Sequence, residues 1–162
     1  MLNMVFVVLG TQGFQMNRLL AQVDGLVSSG RIVGPVIAQI GHSDYEPKSF
    51  PFQRFLDKTE FDRLISGADL IITHGGVSTI IKALKCRKPV IVCPRLAKYR
   101  EHVDDHQREI ARAFAKKGFV LCCEEGDDLG VMIESCKDRE FPEYVSQTND
   151  ITRIINEFLS AL

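Results

Sequence analysis

Short apolar runs alternate along this 162-residue chain with stretches in which apolar residues recur every three or four positions. The runs, rich in Val and Ile, predict buried strands, and the periodic stretches predict amphipathic helices. Residues 4–9 form the first run, which closes at Gly10-Thr11-Gln12-Gly13; Met16, Leu19, Leu20, Val23 and Val27 then mark one helix face ending near Gly30. A second strand is predicted at 35–41, a polar loop at 42–51, a short third strand at 52–56 and a brief helix around Phe61, Leu64 and Ile65. At 70–84 the period switches within a few residues. Leu70-Ile71-Ile72-Thr73 reads as a strand, His74-Gly75-Gly76 as a tight turn, and Val77, Ile80, Ile81 and Leu84 as a helix face.

The alternation continues with a strand at 90–93 ending at Pro94-Arg95 and a polar loop to Val103. A helix opens at Asp104-Asp105-His106-Gln107, where acidic residues suit the helix dipole, and closes at Lys116-Lys117-Gly118. A strand at 119–122 and a helix at 129–136 follow. Residues 138–149 carry no clear period, and Ile151, Ile154, Ile155, Phe158 and Leu159 define a last amphipathic helix.

Strands that are continuous apolar runs, each followed by a helix, specify a single α/β domain with a mostly parallel sheet covered on both faces. Ligands of such sheets bind beyond the carboxyl ends of the strands. Gly10-Thr11-Gln12, Thr73-His74-Gly75-Gly76 and Pro94-Arg95 then share one rim. Gly75 and Gly76 let the backbone approach a ligand, the free N–H groups of the following helix turn favour an anion, and Ser78 and Thr79 add hydroxyl donors. A phosphate-bearing ligand at 74–79 is the expectation. A plain strand-to-helix turn capped by Ser78 or Thr79 is the alternative, since neither a Walker loop nor a spaced dinucleotide fingerprint is present.

Composition narrows the partners. Lys and Arg total 20 against 21 Asp and Glu, a formal net charge of −1, so nucleic acid is not expected. Five cysteines without CxxC or finger spacing read as free thiols of a reducing cytosol, and no metal site or resident cofactor is expected. The amino terminus has no basic flank or cleavage site and reads as a strand rather than a signal peptide. No apolar stretch approaches the ~20 residues needed to span a bilayer.

Gly10-Thr11-Gln12, Thr73-His74-Gly75-Gly76-Val77-Ser78-Thr79, residues 88–95 and Tyr99-Arg100-Glu101-His102-Val103-Asp104-Asp105-His106-Gln107 together resemble the carboxy-terminal, donor-binding half of the family 28 GT-B glycosyltransferases. The likeness is strongest to the small stand-alone version of bacterial exopolysaccharide and capsule clusters. It extends to the cytosolic subunit of the two-part UDP-N-acetylglucosamine transferase of lipid-linked oligosaccharide synthesis. It implies one Rossmann-like domain over residues 1–162, half of a GT-B fold. It also implies a UDP-sugar substrate whose diphosphate is held by His74, Gly75, Gly76, Ser78 and Thr79, with Gly10, Thr11 and Arg95 nearby and His74 in direct phosphate contact. Asp105, His106 and Gln107 match the segment that contacts the transferred sugar, and the region of Phe55 and Leu56 the one that packs uracil. Where relatives carry a ribose-binding carboxylate this chain has Lys82, with Glu101 the candidate replacement.

The resemblance further implies an inverting transfer to a lipid-linked acceptor, completed by a membrane-anchored, acceptor-binding partner subunit, with the chain cytoplasmic and peripheral at the inner face of the membrane. Helix 151–162 is a possible docking element, with packing on its own sheet as the alternative, and a homodimer of isolated chains is possible. The rival readings are a non-catalytic subunit that activates or stabilises a partner glycosyltransferase, and an unrelated α/β nucleotide-binding or hydrolytic domain. Against the second, the chain lacks a Gly-x-Ser-x-Gly elbow and a Walker lysine. His74 can also be a core histidine, His102 and His106 solvated residues of a helix start, and Arg95 an ion-pair member.

Overall fold

The computed structural model describes residues 2–146 and 150–161. Six strands among them are β1 (Val5–Val8), β2 (Val36–Gln39), β3 (Phe52–Gln53), β4 (Leu70–Thr73), β5 (Val90–Val92) and β6 (Leu121–Cys122). They form one sheet in the order β3-β2-β1-β4-β5-β6, and every pairing is parallel. The helices are α1 (Asn17–Ser28), α2 (Lys58–Gly67), α3 (Val77–Lys85), α4 (His106–Lys116), α5 (Leu129–Lys137) and α6 (Asp150–Ser160).

Alternation along β1 divides the core in two. Val5 and Val7 face a cluster with Leu19, Leu20 and Val23 of α1 and Ile133 of α5. Phe6 and Val8 face the other, with Leu64 of α2, Ile80 of α3, Phe114 of α4 and Ile154 of α6. Both sheet faces are therefore covered, as all-parallel sheets require. α6 packs on α4 with Ile154 buried and Ile155 and Phe158 against the same cluster, so the chain's own core occupies its apolar face, while Leu159 stays 43% exposed. The Ile151 side chain, counted in that face from the sequence, lies outside the described side chains.

Two predicted strands are shorter than their apolar runs. β3 ends at Gln53 because the Arg54 guanidinium donates to Ser43 O (2.9 Å) and Glu46 (3.1 Å), and Leu56 N–H turns to Gln39 Oε1 (3.0 Å). At β6, Phe119 and Val120 are spent on the turn out of α4, where Phe119 N–H reaches back to Phe114 O (3.2 Å). Cys93, Cys123 and Cys136 are buried and Cys86 and Cys122 half-buried. Among the described residues no helix is long and apolar enough to cross a membrane.

Asp24 of α1 is buried and anchors the 42–51 loop. Its carboxylate accepts from Tyr45 Oη (2.8 Å), Lys48 N–H (3.0 Å) and Ser49 N–H (2.8 Å). Burial alone would raise its pKa, but these donors outweigh it and lower the value from 3.8 to about 2. A lowered carboxylate stabilises the fold fully above the unfolded value and loses that contribution as pH falls through the folded one. Asp24→Ala should cost about 1–3 kcal/mol in urea unfolding at pH 7. The gap between wild type and variant should close as the pH is taken from 3.8 toward 2.

Candidate functional site

The strand register aligns the carboxyl ends. Gln39, Val8, Thr73 and Val92 form one row across β2, β1, β4 and β5, and Thr73 Oγ1 donates to Val8 O (2.8 Å) within it. Beyond the row lies a cleft of about 760 Å³ lined by the turn after β1, the His-Gly-Gly turn, the first turn of α3 and the first residues of α4.

Gly76 is the cap position of α3 and offers no side-chain cap, so the first-turn N–H groups open into the cleft. Ser78 is exposed there and Thr79 largely buried. Glycine is demanded at three points of the wall. Gly10 has φ +73°, and a Cβ on it would come 2.6 Å from His74 Nε2. A Cβ on Gly75 would come 2.5 Å from Gln107 Cβ, and one on Gly76 would collide with the His74 ring.

One buried oxygen organises these groups. Gln107 Oε1 accepts from Gly75 N–H (3.1 Å) and Arg95 N–H (3.3 Å) and lies 3.3 Å from His74 Nδ1. An amide oxygen only accepts, so the network assigns the imidazole proton to Nδ1 and leaves Nε2, between Gly10 and Gly76, with a lone pair. Burial, reinforced by the Arg95 guanidinium, lowers the His74 pKa from 6.5 to about 4. The ring is therefore neutral at pH 7.

Of the residues singled out from the sequence, Gly10, Thr11, His74, Gly75, Gly76, Ser78, Thr79, His106 and Gln107 line the cleft together. Three others do not. Arg95 is 1% exposed and lies beneath the rim, donating from Nη2 to Leu9 O. Asp105 turns back to accept from Ala97 N–H (2.8 Å). Glu101, the candidate ribose ligand, is fully buried and committed: Arg18 Nε and Nη2 each reach it at 3.0 Å, and Oε2 also accepts from Leu96 N–H (3.0 Å). Substituting for the ribose carboxylate would require breaking that cluster, which holds Glu101 away from the cleft. Of the pair assigned to uracil, Leu56 lines the cleft, whereas Phe55 is 47% exposed and rests on His42.

Sequence reasoning passed over Gln39, Lys58, Phe61 and Ile110, which also line the cleft. Gln39 carried a signal, a polar residue set within an apolar run. Lys58 and Lys82 both bond Asp62, which stands outside the lining, and Lys82 lies 5.0 Å from the Phe61 ring. Two lysines and no carboxylate are among the lining residues, a charge balance that suits an anion.

Sheet and cleft together define a doubly wound α/β domain with an open cleft beyond its strand ends. The chain belongs to the family described by the glycosyltransferase family 28 C-terminal domain, whose model matches residues 4–152. It is 30% identical over 128 residues to the UDP-N-acetylglucosamine transferase subunit ALG13 of Homo sapiens, covering 74% of this chain and 11% of that protein. It is 38% identical over 56 residues to the subunit of the same name from Saccharomyces cerevisiae, covering 35% of this chain and 26% of that one. The chain thus spans about a quarter or less of the length of these relatives. Among solved structures it superposes on an NMR structure of ALG13 with a TM-score of 0.62 at 20% identity, covering 94% of each chain. The TM-score is also 0.62 on Acinetobacter baumannii MurG at 16% identity, covering 95% of this chain and 49% of that one. At these identities the structural matches establish the fold: half of a GT-B architecture.

The buried imidazole makes a pH prediction. Its folded pKa lies below the unfolded value, so the unfolded chain takes up the proton first. Stability associated with neutral His74 is full above pH 6.5, is lost as pH falls toward 4, and amounts to about 3 kcal/mol over that window. NMR titration of the ring should place its midpoint near 4, and His74→Gln should flatten the acid limb of the stability profile.

Proposed function

We propose that the chain is the donor-binding, catalytic subunit of a two-component inverting glycosyltransferase. It would take a UDP-sugar and serve a lipid-linked acceptor in polysaccharide synthesis. The observation that carries this reading is the cleft in a family 28 domain, where the uncapped amino terminus of α3 and two lysines meet beside three glycines that admit no side chain. The relatives named for UDP-N-acetylglucosamine transfer support a UDP-sugar donor.

In this mechanism the diphosphate lies against Gly75, Gly76, Ser78 and Thr79. An acceptor hydroxyl attacks the anomeric carbon from the face opposite UDP. The new oxygen–carbon bond forms as the bond to the β-phosphate oxygen breaks, and the hydroxyl proton passes to a base on the membrane-anchored partner subunit, which also holds the acceptor. The first-turn N–H groups of α3 stabilise the charge growing on UDP, the electrostatic contribution that such preorganised donors make. Partner association would keep the chain cytoplasmic and peripheral at the inner face of the membrane. His106 and Gln107 line the same cleft and would be the side chains nearest the sugar hydroxyls in this reading.

His74 needs one further condition to touch phosphate. Its Nδ1 proton is committed to Gln107, and a bare Nε2 lone pair repels a phosphate oxygen. Direct contact therefore requires protonation at Nε2, which the approaching diphosphate favours by raising a pKa that starts near 4.

Calorimetric titration of the chain with UDP should show binding that ADP does not reproduce. At pH 8, repeated in buffers of different ionisation enthalpy, it should show net uptake of up to one proton, absent in His74→Gln. Ser78→Asp, which sets a carboxylate at the α3 amino terminus without the collision that Gly76→Asp would make with His74, should abolish binding. Full transferase activity of a Ser78→Asp complex would instead favour the non-catalytic accessory subunit.

A further inference from the structure

His102, Asp104 and His106 stand two residues apart at the entry to α4 and turn their side chains to a common point. His102 Nδ1 lies 3.3 Å from Asp104 Oδ1, which in turn meets Nδ1 of His106. All three donor atoms fall within 4.8 Å of one another. The imidazole rings cross at 71° with centroids 4.6 Å apart, and Phe14 holds the His102 ring at 4.9 Å.

Helix capping explains part of this cluster. Asp104 Oδ1 accepts from His106 N–H (3.1 Å), the usual work of an acidic residue at a helix start. Capping leaves His102 unexplained. Its side chain is only 8% exposed, yet its Nδ1 is buried, aimed at the cluster and without a hydrogen bond. Buried polar atoms of this kind call for a partner.

We propose that His102 Nδ1, Asp104 Oδ1 and His106 Nδ1 form a site for a borderline divalent transition ion of the Zn2+ type. Two imidazoles and a carboxylate are ligands such ions accept, and three protein ligands leave a position open to water. Tetrahedral donors at about 2.0–2.1 Å from zinc stand roughly 3.3 Å from one another, the spacing the His102–Asp104 pair already has. Asp104 and His106 are 57% and 45% exposed, so an ion can enter. It would stand at the edge of the cleft that His106 lines. The inference does not rest on the donor reading.

The test uses the untagged full chain, titrated with Zn2+ by calorimetry and with Co2+ by visible absorption. One site per chain is expected, with the Co2+ spectrum of nitrogen and oxygen ligation and no thiolate charge-transfer band. His102→Ala and Asp104→Asn should each weaken binding at least about ten-fold. The Asn variant keeps an acceptor for His106 N–H, so α4 stays capped, and circular dichroism confirms that both variants are folded. No saturable binding at submillimolar Zn2+, binding undiminished in the variants, or a thiolate band that places the ion on the cysteines would each overturn the proposal.

Discussion

The side-chain oxygen of Gln107 is the constraint on which the cleft depends. Beyond the last ladder bond of a parallel strand the backbone N–H groups need new partners. Gly75 after β4 and Arg95 after β5 both find theirs in this one atom. It ties two strand ends to the first turn of α4 and commits the Nδ1 proton of His74. Three properties of the site follow: the tautomer of the imidazole, the placement of Nε2 between Gly10 and Gly76, and the absence of room for any side chain at those glycines. An apolar residue at 107 would leave three buried donors unpaired at once, each worth about 1–3 kcal/mol.

Around that fixed point, no carboxylate is among the residues that line the cleft. Glu101 is locked by Arg18 and Leu96, Asp105 closes the loop back to Ala97, and Asp62 bonds Lys58 and Lys82 from outside the lining. The field inside comes from groups that cannot move away, chiefly the first turn of α3. Donors already in place need not reorganise when charge develops on a leaving group, the condition for electrostatic catalysis. The cost is borne by His74, held neutral inside the wall by burial and by Arg95.

What could be read from the sequence was what is local in the chain. Leu70–Thr73 and Val77–Lys85 are visible as a change of period, and the Gly75-Gly76 turn between them as a break in both, so strand, turn and helix followed together. The sheet's parallel character followed from apolar runs with no polar alternation. What escaped was long-range pairing of polar groups. Glu101 meets an arginine 83 residues earlier, and Asp24, a lone carboxylate within α1, holds a loop about 25 residues later. Neither link leaves a periodic trace. The 52–56 run misled because an edge strand ends where side-chain hydrogen bonds to Ser43, Glu46 and Gln39 take over, not where hydrophobicity stops.

The most direct test of the central claim, that the turn pinned by Gln107 is the diphosphate site, is an amide NMR map of the labelled chain with UDP added. The account predicts the largest shifts at Gly75 to Thr79 and at Gln107, with small changes at α5 and β6, which lie off the cleft. Shifts centred elsewhere, with 74–79 unmoved at saturating UDP, would contradict it.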